Sequence, residues 1–221
     1  MPIQSTPLLR RLILVGTPLA FAVVTTLHPT TGTGPGDLSL PLTRWFIVHG
    51  LQVVLTVLLA YCIWILLDGI HNRAATIARV ALPVFLVFFS TFDAVAGLAT
   101  GWLHRTANSQ TGAEQAATLR AADELFNHNW LTGNLSVAGS VTAIAWAVIA
   151  IAGAVALRRA GADGLTVGLM AASLLFASHP VPAGTLGMLA LLAAAFRWDR
   201  RRNRISTGAA DPTTMSQPRR R

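Results

Sequence analysis

The chain is 221 residues long, 53% hydrophobic and only 12% charged, about half the charged share of an ordinary soluble domain. Mean hydropathy is +0.55 and the isoelectric point is near 11.6, because 17 arginines and no lysine stand against 9 acids, a formal charge of +8. A nucleic-acid binder would array such cations along a polar face. Here they punctuate long apolar runs, which excludes a nucleic-acid partner and points to a polytopic protein with the lipid bilayer as its solvent.

A helix needs ~20 apolar residues to cross the hydrocarbon. The first is Leu12 to Leu27, preceded by Arg10-Arg11 and closed by His28-Pro29. Ala20-Phe21-Ala22 has the spacing of a signal-peptide cleavage site, but the apolar run continues through Val23 and Val24, which favours a retained helix. The second run, Trp45 to Leu67, stops at Asp68-Gly69. The third, Val80 to Thr100, is interrupted only by Asp93, and the fourth extends from Leu131 to Leu157 before Arg158-Arg159. A fifth, 165–178, and a sixth, 181–196, are short and separated by His179-Pro180-Val181-Pro182. They either cross with snorkelling ends and local thinning or form a re-entrant hairpin.

The expected fold is therefore all-α: a six-helix transmembrane bundle over residues 12–204, with a short N-terminal segment 1–11. Arginine placement orients it. With the N-terminus cytoplasmic, Arg10, Arg11, Arg73, Arg79, Arg158, Arg159, Arg197, Arg200, Arg201, Arg202, Arg204, Arg219, Arg220 and Arg221 lie inside, and only Arg44, Arg105 and Arg120 lie outside. That asymmetry favours both termini in the cytoplasm and the cell membrane as location. Trp45, Trp102 and Trp130 fall at expected outer boundaries, Trp64 and Trp198 at inner ones, as an interfacial belt would place them.

The outer loop 102–130 holds an expected amphipathic helix over Gly112 to Phe126, with Ala116, Leu119, Ala122 and Phe126 on one stripe. It reads as a surface helix, or more sharply as a lid over an outward-facing site. Residues 205–221 are polar, contain two prolines and end in three arginines. They read as a disordered tail that lies against anionic lipid.

Asp93 is the one acid well inside an apolar span. Counting back from Gly101 places it ~12 Å below the outer boundary, where a carboxylate costs ~2.5–3.5 kcal/mol and should face the bundle interior with a partner or a proton. His49 falls ~6 Å below the same boundary on the neighbouring helix. The two are close enough in depth to pair directly, with His28 and His179 just above them at helix ends and His104 beside the outer loop. An imidazole and a carboxylate suit a transition metal or a proton relay. Haem would need His28 or His179 as a second axial ligand to His49. Asp93, Gly97 and Gly101 share one face at four-residue spacing, and Gly97 to Gly101 is a GxxxG motif suited to packing a helix, within the chain or from a partner.

Other chemistries lack their residues. There is no HExxH, no G-x-S-x-G elbow, no P-loop and no dinucleotide fingerprint. Ser136 or Ser140 with His179 has no supporting motif as a hydrolase pair. Cys62 is the single cysteine, inside an apolar run, so no disulfide framework or CxxC pair exists. Three functions remain, in order of expectation. The first is a membrane protein binding a metal or redox cofactor through His49 and Asp93, with His28, His179 and His104 as further ligands. The second is a proton-coupled transporter or channel-like subunit in which Asp93 carries the proton and His49 relays it. The third is an accessory subunit whose Gly97/Gly101 face binds a partner helix.

Overall fold

A computed structural model describes residues 7–29, 41–132, 135–178 and 181–208. Every regular element among them is helical: α1 (Pro7–Thr26), α2 (Leu42–Leu66), α3 (Arg73–Asp93), a π-helical turn (Ala94–Ala99), α4 (Thr100–Ala107), α5 (Gly112–Phe126), α6 (Val137–Arg159), α7 (Gly164–Ala172), a 3-10 segment (Ser173–Ser178) and α8 (Ala183–Gly208). Four helical runs are long and apolar enough to cross a membrane: Leu8–Thr26, Leu42–Leu66, Arg73–Ala107 and Val137–Arg159. The third is a continuous rod of 35 residues, ~52 Å at 1.5 Å per residue against a hydrocarbon core of ~30 Å.

The helix starts have local causes. Asn72 caps α3 by accepting from Ala75 N–H at 3.0 Å, and its amide reaches across to the Ala156 carbonyl at 3.3 Å. Ser136 accepts from Gly139 N–H at 3.1 Å. That cap moves the start of the fourth span from the expected Leu131 to Val137, and Leu131 and Thr132 lie in turn instead. Asp163 caps α7 through Thr166 N–H at 3.0 Å and Thr166 Oγ1 at 2.8 Å.

The core is an aromatic cluster at mid-bundle. Phe21 of α1, Phe85 and Phe89 of α3, Trp146 of α6 and Phe176 of the 3-10 segment meet there, with centroids 5.0 Å apart for Phe21–Phe176 and for Phe85–Trp146. Such pairs add ~0.5–1.5 kcal/mol each beyond their burial. Trp146 Nε1 donates to the Ser173 carbonyl at 2.8 Å, at the point where α7 tightens into 3-10 geometry. The expected fifth segment is thus half α and half 3-10. Gly187 lets α8 lie against it, since a β-carbon there would overlap the Phe176 backbone.

One end of the bundle gathers the charges. Arg10 Nε meets Asp199 Oδ1 at 3.0 Å, Arg202 donates to the Asp68 carbonyl at 2.6 Å, and Arg79 caps the end of α2 at the Leu67 and Ile70 carbonyls. Arg197 pairs with Asp163 at 3.2 Å. The start of α1, the end of α2 and the arginine-rich part of α8 therefore share one end. At the opposite end Thr25 and Thr185 hydroxyls are 3.1 Å apart. Between Thr185 and Asp199, α8 rises ~21 Å antiparallel to α1, matching the length of α1 between Thr25 and Arg10.

The tryptophans expected at the span boundaries differ in burial: Trp45 and Trp198 pack inside the bundle, whereas Trp64, Trp102 and Trp130 are exposed. The helix α8 continues to Gly208, four residues into the polar segment expected from residue 205, and residues 209–221 lie outside the described residues.

Candidate functional site

The buried polar residues of α2 fall on one face. Trp45, His49, Gln52 and Thr56 follow one another at intervals of four, three and four, the spacing of a helical stripe, and all four are buried. This stripe faces the third helical run. His49 Nδ1 and Asp93 Oδ1 are 2.8 Å apart, with the residues 4% and 1% exposed. The two candidates are therefore in direct contact, in a site closed by its own side chains rather than open to the outside.

The third run makes room for this contact by two means. At Gly97, one turn beyond Asp93, a β-carbon would overlap the Cβ, Cγ and Nδ1 of His49; at Gly101 it would come within 2.7 Å of Trp45 Cδ1. The small-residue face is thus filled by α2 of the same chain. The second means is the π turn over Ala94–Ala99, where the widened i to i+5 pattern disturbs the regular ladder. Thr100 Oγ1 donates to the Val95 carbonyl at 3.1 Å, and Trp45 Nε1 donates to the Gly97 carbonyl at 2.6 Å. Trp45 is a site residue that the interfacial reading of tryptophan concealed.

His28, just beyond the end of α1, packs against the His49–Asp93 pair. Its ring stands edge-on to His49, centroids 5.0 Å apart, and Trp45 lies 4.5 Å from His49 on another side. His28 Nδ1 bonds the Pro29 carbonyl at 2.9 Å. Burial first, and His49 beside it second, push the His28 imidazole down to about 4, so it is neutral at pH 7.

Several buried polar atoms have no hydrogen-bond partner among the described residues: His49 Nε2, Asp93 Oδ2, and both amide atoms of Gln52, a residue 0% exposed. Leaving such a group unsatisfied costs ~1–3 kcal/mol. Gln52 is absent from the sequence-based candidates. Its signal was available: an amide inside an apolar run, three residues after His49.

The remaining candidates separate. His104 is buried in α4 but lies ~16 Å along the helix axis from Asp93, too far to share an ion with it. His179 lies outside the described residues. His128 is exposed in the turn after α5, where its Nδ1 accepts from Trp130 N–H at 3.3 Å. Among the described residues, no group of three or more His, Cys, Asp or Glu side chains is placed to hold a metal ion. The expected helix over Gly112–Phe126 forms with those bounds, and Ala122 is its one buried residue; Gln115 Nε2 ties it to the Ala107 carbonyl at 3.0 Å.

Fold and site together define an all-helical protein with four helices able to cross a membrane and a buried histidine–carboxylate pair between two of them. Comparison with known protein families, curated proteins and solved structures finds no match.

Proposed function

We propose that this is a six-pass membrane protein, both termini cytoplasmic, whose His49–Asp93 pair takes up and releases a proton in the outer half of the bilayer, as in a proton-coupled transporter or channel-like subunit. The observation that carries the reading is the 2.8 Å contact between two buried ionisable side chains, each with a second polar atom that has no partner among the described residues. A carboxylate at that depth is costly unless neutralised or paired, and imidazole is the side chain that exchanges protons near neutral pH. One turn further along the same face of α2 is Gln52, whose two side-chain polar atoms have no hydrogen-bond partner among the described residues. The six-pass count is supported by α8 running alongside α1 for nearly its full length, and the orientation by arginines gathered at one end of the bundle.

The metal reading has one observation in its favour. His49 and His28 each engage Nδ1, with Asp93 and with the Pro29 carbonyl, which is how metal-binding imidazoles are commonly oriented by outer-shell partners. Two imidazoles need at least one more donor for a stable site. The discriminating experiment is to reconstitute the purified chain in liposomes with a pH-sensitive dye inside and impose a proton gradient. Flux abolished by Asp93→Asn and partly retained in Asp93→Glu is the expected result. A protein that moves no protons and carries near-stoichiometric metal, lost in His49→Ala, would replace this reading with the cofactor reading.

A further inference from the structure

The arginines of α8 divide between two faces. Asp199 is buried and pairs with Arg10, and half-buried Arg202 on the same side donates to the Asp68 carbonyl. Arg197, Arg200, Arg201 and Arg204 instead line a cleft of about 320 Å³ with Phe196 and Asp163. Four guanidiniums and one carboxylate line this concave site. Part of the site is already ordered: Arg197 is held by Asp163 at 3.2 Å and Thr166 at 3.3 Å, and Arg200 lies 4.4 Å over the Phe196 ring. Ordered guanidiniums lose less freedom when they fork onto phosphate oxygens.

The cleft is continuous with an apolar stripe. Leu186, Leu189, Ala193 and Phe196 precede the arginines at intervals of three, four and three along the same helix, and Leu186, Leu189 and Phe196 are exposed. A soluble phosphate would use only the arginines. A lipid would use both parts, with an acyl chain along the leucines and its headgroup in the cleft.

We infer that the Asp163/Arg197/Arg200/Arg201/Arg204 cleft is a binding site for the headgroup of an anionic phospholipid. It is independent of the proton-handling pair, which lies toward the other end of the bundle. Each basic residue near an anionic surface contributes about fivefold in affinity, so removing three lowers it on the order of 100-fold.

The test uses the full chain in detergent, titrated with dioleoyl phosphatidylglycerol or dioleoyl phosphatidylcholine, with bound lipid counted by native mass spectrometry. The variant is Arg200→Gln/Arg201→Gln/Arg204→Gln, and its charge-matched control is Arg219→Gln/Arg220→Gln/Arg221→Gln. Inorganic phosphate is a third probe, read by thermal shift. The expected result is a preference for phosphatidylglycerol that the α8 variant loses and the tail variant keeps. Equal loss in both variants would overturn the proposal by showing that only net charge matters. Saturable stabilisation by inorganic phosphate without any preference between the two lipids would overturn it in favour of a soluble phosphate compound. Circular dichroism of the α8 variant separates a lost site from a lost fold.

Discussion

Replacing Gly97 by alanine tests the architecture of the buried pair at the cost of one methyl group. That methyl would fall on the Cβ, Cγ and Nδ1 of His49. These atoms lie at the base of the side chain, so rotating the ring about its far bond cannot clear the overlap. Either α2 and α3 separate or His49 swings off Asp93. Overpacking of this kind costs ~1–3 kcal/mol, and for a chain of this length each kcal/mol moves the melting temperature by ~2–4 °C, so a fall of ~2–12 °C is expected. Gly50 is the matched control. It neighbours His49 in sequence and lies within a helix, but a β-carbon there meets nothing within 4 Å. Gly50→Ala should therefore gain the ~0.5–1 kcal/mol that alanine usually brings to a helix interior. The assay is thermal unfolding of both variants in the same detergent, followed by tryptophan fluorescence. Opposite signs are required. If Gly97→Ala melts with or above the unmodified protein, the close approach of α2 at that glycine is not as described.

Further outcomes follow from the same geometry. Removing either partner of the buried pair, in His49→Ala or Asp93→Asn, should destabilise by ~3–5 kcal/mol because the other is stranded; in the double variant the losses should fall short of additive by ~0.5–3 kcal/mol, and additive losses in chemical denaturation would show that the two do not interact. Trp45→Phe keeps the ring but deletes the N–H that reaches the Gly97 carbonyl, for an expected cost of ~0.5–1.5 kcal/mol, read as a lowered melting temperature that Trp64→Phe, at an exposed position, does not reproduce. Asp163 accepts from Thr166 N–H, Thr166 Oγ1 and Arg197, and these bonds hold its carboxyl well below the usual carboxylate range. Its folded form thus binds a proton less readily than its unfolded form, so its contribution is full above pH ~4 and fades as pH falls toward the depressed value. The melting-temperature gap between the unmodified protein and Asp163→Ala should be flat from pH 7 to ~5 and narrow below ~4; a gap that widens on acidification would reverse the assigned sign.

The four long helices were legible because an apolar run of spanning length has few alternatives, and the amphipathic helix over Gly112–Phe126 because its polar and apolar residues alternate at helical period. The meeting of His49 and Asp93 was legible from depth alone, since two neighbouring helices carried their polar residues at similar heights. Rotation about each helix axis was harder to read. Trp45 looks interfacial by its position at the end of a run, yet it points inward, and only the paired glycines on the facing helix hint at the space it fills. The π turn has no compositional mark, because widening a helix by one residue is decided by what the neighbour needs to insert. The change from α to 3-10 geometry within the fifth segment, where the rise grows to ~2.0 Å per residue, was not legible either. Ser173, whose carbonyl accepts from Trp146, offered no pattern that would have revealed this.

The π turn also fixes a phase. Each residue of an α-helix advances the chain by 100° about its axis, so the extra residue held in the widened turn sets the angular position of everything beyond it. Were the turn to relax to ordinary α geometry, α4 would revolve by ~100° relative to α3, carrying Trp102 and His104 to different faces and dragging α5 with them. The indole of Trp45, bonded to Gly97 from the neighbouring helix, acts as the pin that holds this dial at one setting. The orientation of the outer helices is therefore dictated from within the bundle, one turn from the carboxylate of Asp93.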